Sequence, residues 1–173
     1  MTLAKRCQPI ELIISDVDGV LTDGSIVYNN DGIEIKRFHI RDGLGIKLWQ
    51  WAGGKFGVVT GRNSHIVNVR AGELGVDLVR QGIEHKLAAL REIAAQFRVS
   101  PEQICYIGDD LPDLPAVRFA GLGVAVADSC AELRDVAAYV TQLAGGQGAV
   151  RETVELILKS QQRWDDVIQK YAI

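Results

Sequence analysis

The stretch Ile13-Ile14-Ser15-Asp16-Val17-Asp18-Gly19-Val20-Leu21-Thr22 decides how the chain is read. An apolar run over residues 10–14 ends abruptly in two carboxylates two residues apart, followed by a glycine. A short apolar run closed by a polar turn reads as a buried strand, most simply in a parallel sheet. Asp16 and Asp18 lie where that strand gives way to a loop. At the carboxyl edge of an open α/β sheet, such a loop faces the ligand crevice. Two acids placed there repel each other unless a cation joins them, and Mg²⁺ is the usual partner of an all-oxygen site. Alone, the stretch also fits a strand end with two solvated acids, so the downstream motifs have to decide.

With 173 residues the chain is long enough for a single domain, 1–173, with a full core. Hydrophobic residues make up 47% and charged residues 24%, a globular rather than a disordered balance. The net charge is −3 and there is no Lys/Arg run, which argues against nucleic acid as a partner. No apolar stretch approaches the roughly 20 residues that cross a bilayer. The short run after the basic N-terminal residues meets Asp16 too early for a signal peptide. The expectation is a cytoplasmic protein without a membrane partner. Cys7, Cys105 and Cys130 are odd in number and lack ligand spacing, so free thiols are expected, with Cys105 part of the core.

After the acidic pair, Ser25-Ile26-Val27-Tyr28 and Ile33-Glu34-Ile35-Lys36-Arg37-Phe38 flank Asn29-Asn30-Asp31-Gly32. Two alternating runs around an Asn/Asp/Gly turn predict a β-hairpin over about 25–38. It stands where a plain α/β unit would begin a helix. Isolated hairpins are marginal in water, so it should pack on something, and the same hairpin of other subunits is one option. Asp42 is the expected N-cap of a helix ending at Gly53-Gly54. Strands are expected over 56–59, 76–79, 104–107, 123–126 and 138–140, with helices over 65–74, 84–97, 117–120 and 152–162. Lys86 lies in the first turn of the helix over 84–97, where positive charge opposes the helix dipole unless an anion is close. The tail 164–173 alternates without a clear stop. The alternation of strand and helix predicts a doubly wound, mainly parallel α/β domain of Rossmann type.

Three strong strands end in Asp-Val-Asp, Thr-Gly-Arg and Gly-Asp-Asp. In an open parallel sheet these ends converge, which would gather Asp16, Asp18, Thr60, Asp109 and Asp113, with Lys86 on a neighbouring helix start. Several acids, a hydroxyl and a lysine suit Mg²⁺ and a phosphoryl group. Carboxylates hold the metal, one carboxylate attacks, and hydroxyl, amide and ammonium groups hold the phosphoryl oxygens. A second acid protonates the leaving oxygen and then activates water.

The order Asp-Val-Asp-Gly-Val-Leu-Thr, Val-Val-Thr-Gly-Arg, Lys86 and Gly-Asp-Asp-Leu-Pro-Asp resembles the four motifs of the haloacid dehalogenase superfamily of phosphatases. Within it the chain is similar to the capless branch of the 3-deoxy-D-manno-octulosonate 8-phosphate phosphatases. That similarity is carried by the hairpin, Arg41-Asp42-Gly43-Leu44-Gly45, Val124-Ala125-Val126-Ala127-Asp128 and Gly145-Gly146-Gln147-Gly148-Ala149-Val150-Arg151-Glu152.

The resemblance implies a fold of this type with no cap domain, and a Mg²⁺-dependent hydrolase of a sugar-acid phosphate serving lipopolysaccharide biosynthesis. Asp16 would be the nucleophile and would form an aspartyl-phosphate. Asp18 would be general acid and then base, with its backbone carbonyl on the metal. Thr60 and Lys86 would hold the phosphoryl group, Asp109 would complete the metal site, and Asp110 and Asp113 would orient it. Substrate contacts would come from Asp18, His39, Asp42, Lys47, Thr60, Gly61, Arg62, Arg70 and Lys86. The branch is typically a homotetramer whose hairpins join in a shared barrel.

His39, Lys47 and Gln147 depart from the branch pattern, which has asparagine, arginine and arginine there. Lysine does not reproduce a bidentate guanidinium contact, which keeps a nine-carbon ulosonate 9-phosphate open as the substrate. Alternatively, His39 is simply a hairpin-end residue bonded to backbone. A non-catalytic receiver-like phospho-switch uses similar groups, but its acceptor aspartate lies on the third strand rather than the first.

Overall fold

A computed structural model describes residues 1–171. The strands are β1 Leu12–Ser15, β2 Val27–Tyr28, β3 Glu34–Ile35, β4 Lys55–Val59, β5 Leu78–Arg80, β6 Ile104–Gly108, β7 Leu122–Ala125 and β8 Tyr139–Val140. The helices are α1 Leu3–Cys7, α2 Ile40–Trp51, α3 His65–Leu74, α4 Lys86–Phe97, α5 Leu114–Phe119, α6 Ala131–Val136, α7 Ala149–Ser160 and α8 Trp164–Ile168. Six parallel strands make one sheet in the order β5-β4-β1-β6-β7-β8, while β2 and β3 pair antiparallel outside it.

Period-two alternation along β1 sends Ile13 to one face of the sheet and Leu12 and Ile14 to the other. The first face packs against α2, α3 and α7 through residues such as Trp49, Val67 and Val154. The second packs against α4, α5 and α6 through Leu90, Val117 and Leu133. Right-handed crossovers require this division: the chain first moves from β1 out to β4 and β5, then returns past β1 to β6, β7 and β8. The order reverses on either side of β1, so the carboxyl ends of β1, β4 and β6 frame a crevice.

The architecture is the one expected from the strand and helix alternation, and it differs in detail. The first strand is Leu12–Ser15 rather than 10–14. The short helices α1 and α6 occupy segments with too few residues to show periodicity. The tail forms α8 and a 3₁₀ turn, Gln169–Tyr171, and its last two residues lie outside the described ones. The N-cap of α2 is His39, whose Nδ1 accepts a hydrogen bond from the Arg41 amide at 3.3 Å. Asp42 instead lies inside α2, 1% exposed. Its two oxygens accept the amides of Gly148 (3.2 Å) and Arg151 (2.9 Å), so it caps α7 from 106 residues away. The side chain closes the N-terminus of a different helix from the one its sequence neighbours suggest.

The hairpin is short. Val27 faces Ile35 and Tyr28 faces Glu34, and Asn29 Oδ1 accepts the amides of Asp31 and Ile33 to close the turn. Ile26, Val27, Tyr28, Ile33 and Ile35 are each 45–59% exposed, an apolar surface unusual for so small an element. Among the described residues no helix is long and apolar enough to cross a membrane.

Candidate active site

Asp16 leaves β1 with its amide bonded to the Ile107 carbonyl at 3.0 Å, so the sheet ladder itself fixes where the side chain starts. Its Oδ1 accepts the Val17 amide at 2.7 Å and its Oδ2 accepts Lys86 Nζ at 2.6 Å. The loop beyond turns on Gly19, whose φ of +89° favours glycine. A Cβ there would fall 2.1 Å from Asp109 Oδ2. The loop is held from behind by the glycine-rich segment, since a Cβ on Gly145 would lie 1.8 Å from the Gly19 carbonyl oxygen. Gly145 is in turn placed by Asp128, whose Oδ1 accepts its amide at 2.9 Å.

Lys86 opens α4 and is 4% exposed. Its Nζ also donates to Asp113 Oδ1 at 2.6 Å. Two carboxylates therefore answer the dipole conflict that the sequence predicts at this position. Burial alone would push the ammonium down; the charges of Asp16 and Asp113 outweigh it and hold the value above the ordinary lysine range. Asp113, in the 3₁₀ turn Leu111–Asp113, is fully buried. Its Oδ1 also accepts Tyr106 Oη at 2.7 Å, and its Oδ2 accepts the amides of Asp109 (3.1 Å) and Asp110 (3.4 Å). A carboxylate has about four lone-pair positions, so Asp113 is saturated and orients its neighbours instead of offering a free ligand atom.

Asp109, beyond β6, completes an acidic cluster: Asp16, Asp109 and Asp113 each present an oxygen within 4.8 Å of the others. Burial, reinforced by Asp113, raises Asp16 to about 6 although Lys86 pulls the other way. Burial, then Asp113 and Asp16, raise Asp109 to about 8. Thr60 follows β4 and is tied down at both backbone groups, its amide to Arg80 and its carbonyl to Ile83, each at 3.0 Å. These residues line a crevice of about 450 Å³ together with Asp18, Gly61 and Arg62. A larger cavity of about 630 Å³, between α2 and α7 beside Arg41, Leu44 and Glu155, has no comparable convergence of acids on a lysine. The chemistry therefore belongs to the smaller one.

The sequence matches the haloacid dehalogenase-like hydrolase family over residues 63–152. It is 44% identical over 159 residues to 3-deoxy-D-manno-octulosonate 8-phosphate phosphatase KdsC of Yersinia pestis, spanning 92% of this chain and 85% of that one. The chain belongs to the haloacid dehalogenase-like hydrolases, in the branch of these phosphatases. The fold agrees. The Moraxella catarrhalis 3-deoxy-D-manno-octulosonate 8-phosphate phosphatase, solved with a magnesium ion, a phosphate ion and a KDO molecule, superposes with a TM-score of 0.95 at 43% identity, covering 97% of each chain. The cobalt-bound phosphatase of Haemophilus influenzae gives 0.92 at 39% identity, covering 97% of this chain and 99% of that one.

Measured against the residues expected of this family, the structure brings Asp16, Asp18, Thr60, Gly61, Arg62, Lys86 and Asp109 to one crevice. The side chain of Asp18 is turned from the acidic cluster toward Lys36 and Arg62. Four expected substrate contacts lie elsewhere in this chain. His39 caps α2 and Asp42 caps α7. Lys47 projects toward the C-terminal end of α3, its Nζ 3.6 Å from where a Gly75 Cβ would stand. Arg70 pairs with Glu73 at 3.0 Å and stacks on Phe38. Three of them are cations or a histidine, types that suit an anionic substrate, but within this chain His39, Asp42 and Arg70 bond to other partners and Lys47 points toward Gly75.

Three side chains bonded to residues of the crevice find no role in the sequence analysis: Tyr106, Glu34 and Lys36. Glu34 on β3 and Lys36 just past it are two residues apart in extended chain and so share one face, opposite to that of Ile33 and Ile35. That acid–base pair on one face was the available signal.

Proposed function

We propose that the chain is a Mg²⁺-dependent phosphatase that hydrolyses 3-deoxy-D-manno-octulosonate 8-phosphate to the free sugar acid and phosphate. The observation that carries this reading is the Asp16 carboxylate, fixed by the Val17 amide and Lys86 at the meeting point of three strand ends. The donor set fits a divalent cation: three clustered carboxyl groups face one ammonium, and the mutual repulsion of the acids falls when a cation joins them. Asp16 and Asp109 would hold the metal with the Asp18 carbonyl, and Asp113 would orient them. When bound, Mg²⁺ would supply charge neutralisation for the acids and the phosphoryl oxygens.

Asp16 attacks phosphorus, the bond to the sugar oxygen breaks, and that oxygen takes a proton from Asp18. Asp18, now a carboxylate, removes a proton from water as it attacks the aspartyl-phosphate, which returns Asp16 and releases phosphate. Thr60 and Lys86 hold the phosphoryl oxygens. Arg62, which lines the crevice and is 38% exposed, would meet the acid group of the sugar. The three unpaired cysteines support a reducing, cytoplasmic setting.

The deciding experiment is phosphate release with Mg²⁺ from eight-carbon and nine-carbon ulosonate phosphates in parallel, with a chelator control. A strong preference for the eight-carbon substrate is expected. Preference for the nine-carbon one would move the assignment and make Lys47 and Gln147 the places to look for its cause.

The apolar hairpin supports a homotetramer in which these surfaces meet. Sedimentation should give a mass near four times 18.9 kDa, and Ile33→Lys with Ile35→Lys should shift it to smaller species. A monomer that is stable and fully active would remove the tetramer from the proposal.

The acidic cluster also fixes how stability depends on pH. Asp16 and Asp109 lie above the ordinary carboxylate value near 3.9, so between about pH 4 and about pH 8 the folded metal-free protein binds more protons than the unfolded chain. Their contribution therefore falls as pH rises through that window. Glu34, which the Ser64 hydroxyl and its cation partners hold down at about 2, contributes fully only above the ordinary value of 4.5 and loses that contribution as pH falls toward 2, so it adds no slope in the upper part of the window. In chelator, the melting temperature should fall between about pH 5 and about pH 8, and Mg²⁺ should add more at the higher pH. Calorimetry at both pH values checks this; an Mg²⁺ increment independent of pH would contradict it.

A further inference from the structure

Lys36 lies just past β3, on a hairpin that is otherwise largely exposed, yet its side chain is only 2% exposed. Its Nζ is bonded to Asp18 Oδ1 and lies 3.2 Å from Glu34 Oε1. The other oxygen of Asp18 faces Arg62 Nε at 3.8 Å. That nitrogen is buried and has no hydrogen-bond partner. The terminal nitrogen of Arg62 donates to Tyr28 Oη (3.1 Å) and to Glu34 Oε1 (3.0 Å), while Glu34 Oε2 accepts Ser64 Oγ at 2.6 Å. Glu34 thus gathers two cations, and each cation reaches a different oxygen of Asp18. Tyr28 and Glu34 are opposite each other across the hairpin, and Lys36 shares the face of Glu34, so one face of this small ribbon supplies three members of the network.

A lysine is buried to this extent only where partners replace its water. Lys36 is not among the residues lining the crevice, so its partner there is Asp18 and not the substrate. The Asp18 side chain is 22% exposed beyond its loop; Lys36, bonded to Oδ1, defines the plane and the reach of its carboxyl group and leaves Oδ2, which has Arg62 Nε no nearer than 3.8 Å, to carry the proton. A proton donor displaced by about 1 Å loses on the order of 10²-fold in rate.

We infer that Lys36 is a positioning residue, which from the hairpin, together with Glu34 and Arg62, fixes the Asp18 side chain for proton transfer at the leaving oxygen. This rests on the role proposed above for Asp18. It makes the hairpin part of the reaction machinery within its own chain, in addition to any contact with other copies.

The test is a double-mutant cycle of Lys36→Met and Asp18→Asn, read as kcat/KM on the octulosonate phosphate and on p-nitrophenyl phosphate, whose leaving group departs without a proton. K36M should lower kcat/KM on the sugar phosphate by about 10–100-fold and by much less on p-nitrophenyl phosphate. Added to D18N it should cost less than about twofold more, because the group it positions is gone. Lys36→Arg should restore most of the loss. Equal losses on both phosphates, or a K36M loss that persists in full on top of D18N, would overturn the role of Lys36. If K36M alters melting or sedimentation, Glu34→Gln takes its place in the cycle, and additivity with D18N again overturns the inference. A D18N variant near wild-type turnover on the sugar phosphate would instead overturn the role of Asp18 itself, whatever K36M does.

Discussion

Asp16→Asn is expected to lower turnover by at least about 10⁴-fold while leaving the protein folded. The amide oxygen still accepts the Val17 amide, so the loop keeps its anchor. What disappears is the charge that attacks. Lys86 keeps its 2.6 Å bond to Asp113, so the lysine is not stranded. Removing one of three crowded acids also takes away a buried carboxyl group and relieves the repulsion that, after burial, raises Asp109, so the metal-free variant should melt at or above the wild-type temperature. Phosphate release and calorimetry on the same preparation separate the two effects. Activity within about tenfold of wild type would remove Asp16 as nucleophile.

Lys86→Met should fail in both respects. It nearly matches the stem but takes the only ammonium out of a cluster in which Asp16 and Asp113 are each bonded to it at 2.6 Å. Breaking a buried pair from one side costs about 3–5 kcal/mol, because the remaining charges have no partner. For a chain of this length that is a fall in melting temperature on the order of 10 °C. The acids are relieved by protonation, so the deficit should shrink toward low pH and in Mg²⁺. Turnover should fall with it, since the nucleophile loses its anchor and the phosphoryl group a cation. A variant melting within about 2 °C of wild type in chelator at neutral pH would show that other groups carry the compensation.

Much of this was legible in the order of residues, for a physical reason. Strand ends in an open parallel sheet converge whatever their separation in sequence, so Asp16, Thr60 and Asp109 could be brought together from topology alone. Lys86 was legible as a conflict: a cation at a helix start asks for an anion, and the structure supplies two. Side-chain direction was not legible. Asp42 has the residue type of a cap and stands at a helix start, but the amides it serves belong to residues 148 and 151. Lys47 and Arg70 are cations of suitable type whose helices turn them to Gly75 and to Glu73 and Phe38. Lys36 carries no mark of its own in the hairpin pattern because its partner, Asp18, lies on another element. For Asp42 and Lys36 a long-range contact decides, and spacing carries no record of it; Arg70 is instead turned aside by a partner three residues on.

The seat of the Gly19 loop against Gly145 bears on how the protein comes into being. Asp16 and Asp18 precede the backbone that braces their loop by a long stretch of chain, and Asp42 precedes the two α7 amides it caps by 106 and 109 residues. No nascent fragment short of the glycine-rich segment holds the nucleophile in its working position. Catalytic competence should therefore wait for the glycine-rich segment, which is made after every strand of the sheet, so that shorter nascent chains are inert toward phosphate esters.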